Sequence, residues 1–223
     1  MSTTARALTL VLDASASLGT VAVLDGATVL AEGETRMRGE SGERLLPAAL
    51  SALETAHATL VDVAEVVCGD GPGGFTGLRI AAGVAKGLCV ARAVPLFAVS
   101  SLMLGIAGVR PFPPPGRYLV ALDAMREEVF VLAVTVNADG TVVAGMEQRM
   151  PVADAQALVA REGLALAGGA SLIVQPHARG LAALRERAPA QVRPVALDSW
   201  EPAYGRKAEA QVKWEAAHGR ALA

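Results

Sequence analysis

The chain has 223 residues, 52% of them hydrophobic but only 4% aromatic, with 20 basic against 22 acidic side chains and a net charge of −2. That length suffices for one large or two small cores, and the composition suits a mixed α/β protein. The even charge excludes a protein that grips nucleic acid by phosphate neutralisation alone, so any nucleic-acid contact is expected to run through a partner.

Met1–Leu12 places no long apolar stretch behind a basic region, so no signal peptide is expected. No segment approaches the roughly 20 apolar residues of a membrane span, and the expected location is the cytoplasm. Cys68 and Cys89 each lie in an apolar run and are expected to be buried free thiols. His57, His177 and His218 are scattered without an HExxH pair, which argues against a metallopeptidase. Each is expected to be exposed or singly bonded.

Leu8–Asp13 reads as a compact apolar strand, followed by a strand over Gly19–Leu24, a hairpin turn at Asp25-Gly26 and a third strand over Ala27–Glu34. Then the period becomes helical. From Glu43 to Ala56, Leu46, Leu50 and Leu53 share one face, with Ser41 as the expected N-cap. A strand over Val63–Cys68 runs into a glycine-dense loop. A helix follows over Thr76–Arg92, then a strand over Pro95–Val99 and a short helix over Ser101–Gly108. Pro111–Gly116, with four prolines in six residues, reads as a semi-rigid linker. Beyond it come a strand over Tyr118–Asp123, a hairpin of Glu128–Val136 with Thr141–Glu147, and a helix over Val152–Ala160.

Strand, strand, strand, helix thus occurs twice, each copy opening with an apolar strand that ends in Asp, Asp13 or Asp123. The expectation is an α/β protein of two ribonuclease-H-like domains, as in the actin and sugar-kinase (ASKHA) superfold. Residues 1–109 form the first domain, 110–205 a second, reduced one, and 206–223 a C-terminal segment that packs back or stays flexible.

The segment Gly71-Pro72-Gly73-Gly74-Phe75-Thr76-Gly77-Leu78-Arg79 is the most informative stretch. Its glycines permit positive φ and close backbone approach, and positive φ is expected at Gly73. It lacks the Lys-Ser/Thr ending of a P-loop, so a strand-to-helix corner is favoured over a nucleotide site. A phosphate-cradling hairpin would need glycine directly after Asp13, but Ala14-Ser15-Ala16-Ser17-Leu18 stands there. Asp13 and Asp123 are accordingly expected to cap turns rather than to pair on a metal.

In the second helix Gly83 and Gly87 lie four apart on one face, each costing about 1 kcal/mol of helix propensity. They predict very close approach of another element, either the chain's own first helix or a partner's. The predicted association surface is Leu46, Leu50 and Leu53 with Ile80, Gly83, Val84, Gly87 and Leu88.

The segment Gly71–Arg79 resembles the GPGSFTGLR signature of the TsaB family. Asp123-Ala124-Met125-Arg126-Glu127-Glu128-Val129-Phe130 is similar to that family's DAR-x-x-EVY, and Glu201-Pro202-Ala203-Tyr204-Gly205-Arg206 to its EP-x-Y-x-R segment. Leu45-Leu46-Pro47 and the Asp13 strand end extend the likeness. There are departures. No His stands in Gly39–Glu43, Gly205 replaces a Leu, and Gly168–Pro176 is compressed.

The resemblance implies a non-catalytic subunit of the machinery that makes threonylcarbamoyladenosine in tRNA. Implied partners are the catalytic subunit TsaD through the first two helices, the ATPase TsaE, and a second copy of the chain in isolation. It implies no cofactor bound by this chain alone, ATP entering at the level of the complex, no membrane, and tRNA contact only through that complex. The alternatives are an actin-type ATPase or phosphotransferase using Asp13 and Asp123, and a metal-dependent peptidase.

Overall fold

The structure is a computed structural model that describes residues 6–37, 44–205 and 217–218. Its first sheet runs in the order β10-β5-β4-β1-β2-β3. The strands are β1 (Leu8–Asp13), β2 (Leu18–Asp25), β3 (Thr28–Arg36), β4 (Val63–Gly69), β5 (Leu96–Val99) and β10 (Arg193–Val195). β1 pairs antiparallel with β2 and parallel with β4, with Val11 opposite Val67. All six residues of β1 are buried, as expected of a central strand covered on both faces. β2 returns through a turn at Gly26, whose φ of 58° suits it to the tight hairpin.

The second sheet has the order β8-β7-β6-β9. It is built from β6 (Gly116–Asp123), β7 (Glu128–Val136), β8 (Val142–Pro151) and β9 (Ala165–Leu166). The order third, second, first, fourth is therefore repeated in both sheets. In the second copy the parallel fourth strand is only two residues long, and the compressed span Gly168–Pro176 follows it.

The layers are completed by α1 (Leu45–Thr55), α2 (Phe75–Arg92), α3 (Ser101–Ala107), α4 (Val152–Glu162) and α5 (Gly180–Arg187). Successive strand residues face opposite ways. Leu8, Leu10 and Leu12 therefore pack with α1 and α2 on one side, joined by Leu45, Leu53, Ala81 and Ala85. Val11 faces the other way, into a core with Leu102 and Ile106 of α3 and Leu181 and Leu184 of α5. That same core takes Val120, Phe130 and Leu132 from the second sheet. α4 covers the far face of the second sheet over Leu119, Val129 and Val131. β10 lies within the 110–205 range yet pairs antiparallel with β5 of the first sheet.

Of the predicted surface residues on α1, Leu53 turns inward instead. Leu45, Ala49, Ala52 and Leu53 are buried, whereas Leu46 is only half-buried and Leu50 is 38% exposed. Two overlapping apolar stripes satisfy the same helical period, and the position of the sheet selects the Leu45 stripe. The expected N-cap Ser41 lies outside the described residues. β9, α5 and β10 carry too few residues or too weak a period to be read in advance.

Candidate functional site

The signature loop sits where β4 ends and α2 begins, pressed on the turn that follows β1. Gly74 N–H donates to Ser15 O at 2.7 Å, so this amide is satisfied within the chain. A Cβ on Gly73 would lie 2.6 Å from Ser15 Cβ and 2.8 Å from its Cα, and one on Gly77 would strike the Ala14 carbonyl. These two glycines are present because the Ala14–Ser15 backbone occupies the space that a side chain needs. The positive φ falls at Gly71 (98°), not at Gly73, which corrects the expectation for that residue.

Asp13 is fully buried at the head of this junction. Its Oδ1 accepts from Ser15 N–H (3.0 Å) and Ser15 Oγ (2.7 Å), and its Oδ2 from Ser101 Oγ (2.5 Å). Gly71 N–H donates in turn to Ser101 Oγ at 3.1 Å, tying the loop to α3. Burial raises the Asp13 pKa, and the hydroxyl and amide donors from Ser101 and Ser15 offset only part of that rise. Asp123 stands at the equivalent strand end, accepts from Met125 N–H at 2.7 Å and is exposed. Both carboxylates thus carry the turn-capping geometry. Among the described residues no group of three or more His, Cys, Asp or Glu is placed to hold a metal.

Asp70, 4% exposed and ion-paired with Arg193, lies one residue before Gly71. Burial pushes its pKa up to about 6, outweighing the half-exposed Arg193 guanidinium, while Glu147 adds to the rise. Cys68 and Cys89 are buried free thiols, the second raised by burial to about 11.

Between the two strand ends opens a cleft of about 630 Å³, bounded by Ser15, Gly74 and Thr76 on one side and by Asp123, Phe130 and Gln175 on the other. Residues 200–204 run along the outside of the signature loop as a strap. Ala203 N–H donates to Asp70 O (2.7 Å), and Tyr204 packs on Phe75 at a centroid distance of 4.6 Å. Trp200 is buried in the α1–α2 core with Lys86 above its ring. The EP-x-Y motif therefore braces the signature loop from outside, a role that its spacing alone did not reveal.

On α2 the two central glycines face open space. Among the described residues no atom lies within 4 Å of a Cβ built on Gly83 or Gly87, so the chain's own first helix is not the close neighbour. Beside them Leu50 and Val90 are exposed and Ile80 and Val84 half-buried. Two of the predicted surface residues belong elsewhere: Leu53 and Leu88 are 1% and 8% exposed and pack in the core under the helices. Phe75 and Arg79 extend the face towards the strap, with the Arg79 guanidinium 5.4 Å from the Phe75 ring centre. His177, expected to be exposed or singly bonded, is instead buried among Glu32, Glu34 and Arg179. His57 is exposed, with φ of 52° just past α1.

A family model described as TsaD, tRNA N6-adenosine threonylcarbamoyltransferase, matches residues 38–184. The Escherichia coli tRNA threonylcarbamoyladenosine biosynthesis protein TsaB is 36% identical over 54% of this chain and 52% of its own length. The Bacillus subtilis protein of the same name is 34% identical over 49% and 47%. The matched stretch thus spans about half the length of these curated relatives. Among solved structures, a Pseudomonas aeruginosa protein described as similar to the peptidase YeaZ superposes with a TM-score of 0.72 at 28% identity. That match covers 90% of this chain and all of the other. YeaZ from Pseudomonas aeruginosa gives 0.69 at 26% identity, over 89% and 99%. With the signature loop, the repeated strand order and these matches in agreement, the chain belongs to the TsaB (YeaZ) family, within the wider group described by the TsaD model.

Proposed function

We propose that this chain is a non-catalytic, cytoplasmic subunit of tRNA threonylcarbamoyladenosine biosynthesis, and that it pairs with a TsaD-type catalytic subunit through the α1–α2 face. The observation that carries the reading is the open glycine pair. Gly83 and Gly87 each weaken α2 by about 1 kcal/mol relative to alanine, and no contact among the described residues accounts for them. A bare helix face bordered by Leu50, Ile80 and Val84 lets a second helix approach closer than the usual ~8–10 Å between axes. Two helices from each side would form a four-helix contact. The same face would pair with a second copy when the partner is missing, in the two-fold arrangement commonest for homodimers.

A subunit rather than an enzyme is supported at the cleft. The residues after Asp13 that would have to present amides to a phosphate are packed under Gly73 and Gly77, and the Gly74 amide is already committed to Ser15 O. ATP, TsaE and tRNA therefore enter this reading only through the complex.

The test is Gly87→Leu, made in the full chain and co-purified with the cognate TsaD. A leucine there meets no atom of the described residues within the range of its Cβ, so the monomer is expected to keep its fold by circular dichroism. Co-purification and self-association by light scattering are both lost. Unchanged association would place the interface elsewhere.

A further inference from the structure

The span from Gln175 to Arg187 fastens the two sheets together. Gln175 Nε2 donates to Leu18 O at 3.3 Å, Ala178 N–H to Thr20 Oγ1 at 3.0 Å, and Arg185 Nη1 to Gly26 O at 2.8 Å. At its start lies His177, 3% exposed. His177 Nδ1 accepts the N–H of Arg179 at 3.2 Å. A neutral ring bonded in this way carries its proton on Nε2. Nε2 faces Glu34 Oε1 at 3.3 Å and Glu32 Oε2 at 3.4 Å, both on β3.

Glu32 is itself held by Arg110 of the proline-rich connection and by Arg179, each at 2.9 Å. Arg179 Nε also donates to Gly108 O, at the end of α3. The remaining wall is made of Gly108 and Gly180, which carry no titratable group and stand too close to their neighbours to admit a Cβ. One imidazole thus lies where β3, the end of α3, the connection between the halves and the start of α5 meet.

We propose that His177 is the pin of a pH-responsive latch in the turn that starts α5, closed while the ring is neutral and loosened when it takes a second proton. The added proton has one place to go, Nδ1, whose lone pair holds the Arg179 N–H. Protonation therefore breaks that bond and opens the turn on which α5 begins. Burial and the guanidinium of Arg179 oppose the added charge, with Arg110 helping, and Glu32 and Glu34 favour it. The balance lowers the ring's pKa from its ordinary value. A histidine lowered in the closed state contributes stability that is present above its ordinary pKa and declines as pH falls below it, from about 6.5 downward. Gln175 of the same span borders the cleft, so loosening the latch also loosens one wall of the cleft.

The experiment is an NMR titration of the His177 ring from pH 8 to 5, with amide exchange of α5 corrected for intrinsic rates. The proteins are the wild-type full chain, His177→Gln and Glu34→Gln. Glutamine offers an N–H near the Nε2 position and does not titrate. The expected wild-type midpoint lies below 6.5, and α5 opening increases by up to about tenfold per pH unit below that value. In His177→Gln this dependence is flat. In Glu34→Gln, a half-exposed site, the His177 midpoint moves lower still, because a carboxylate that favoured the charged ring is gone. A midpoint at or above 6.5, an undiminished slope in His177→Gln, or an unmoved midpoint in Glu34→Gln each overturns the latch. Should His177→Gln fail to fold, the wild-type and Glu34→Gln titrations decide alone.

Discussion

Replacing Gly77 and Gly83 by alanine, one at a time, separates two reasons for glycine in the same helix. Both lie in α2, six residues apart. At Gly83 the new methyl meets no atom of the described residues within 4 Å, so the change restores helix propensity and stabilises by about 1 kcal/mol. At Gly77 the methyl strikes the Ala14 carbonyl oxygen and lies 3.2 Å from the Ala14 carbonyl carbon, and Ala14 is fully buried on a central strand end. Neither partner is the tip of a flexible side chain, so the loop has to lift. Lifting strains a packed core by about 1–3 kcal/mol and breaks the Gly74–Ser15 hydrogen bond, worth about 1 kcal/mol. With the roughly 1 kcal/mol of helix propensity regained, the expected net loss is roughly 1–3 kcal/mol. In a protein of this size 1 kcal/mol moves Tm by about 2–4 °C, so the two variants shift in opposite directions. Thermal and urea unfolding followed by circular dichroism measure both. If Gly77→Ala is as stable as Gly83→Ala, the signature loop does not rest on the β1–β2 turn and the corner reading is wrong.

Leu53→Ala, which empties a buried site under α1, is expected to cost about 2–5 kcal/mol, whereas Leu50→Ala on the open face changes stability by less than about 1 kcal/mol; urea unfolding compares them. Ser101→Ala removes a donor to the buried Asp13 and an acceptor for Gly71 N–H, for an expected loss of about 1–3 kcal/mol in the same assay. Asp70 has a folded pKa raised to about 6, so the folded state binds its proton more tightly than the unfolded chain does. Its ionisation therefore weakens the fold above pH 6, and the penalty is relieved as pH falls from about 6 towards 4. Asp70→Asn should flatten that part of the stability curve by roughly 1–3 kcal/mol, and an unaltered curve between pH 4 and 7 would contradict the assignment.

How much was legible in advance follows from the range of the forces involved. The seven strands of the two three-strand openings and β4, together with α2 and α3, show in the chain because local period and turn chemistry specify them: an apolar run closed by Asp13, the Asp25-Gly26 turn, the glycine break after Cys68. Strand order repeats for the same reason, since hairpins pair neighbours. The family motif is likewise a local string, and that Gly83 and Gly87 share a face follows from their helical spacing, whereas only the structure shows that α1 does not cover it.

Tertiary packing decided the rest. α1 offers two apolar stripes at one period, and only the place of the sheet turns Leu45 and Leu53 inward and leaves Leu50 out. Gly73 was assigned a positive φ because glycine in a loop suggests it, yet its reason is the Ser15 backbone, 58 positions away in the chain, and such a contact leaves no periodic mark. His177 stands apart from the other two histidines in the chain, and its charged partners Glu32, Glu34 and Arg110 come from distant segments that meet only when β3, the connection and α5 are stacked. The strap at Trp200–Tyr204 and the short β10 depend on surfaces built by the first half of the chain. Their own residues are too few to declare a structure, because a strand of three residues exists only through the edge that pairs with it.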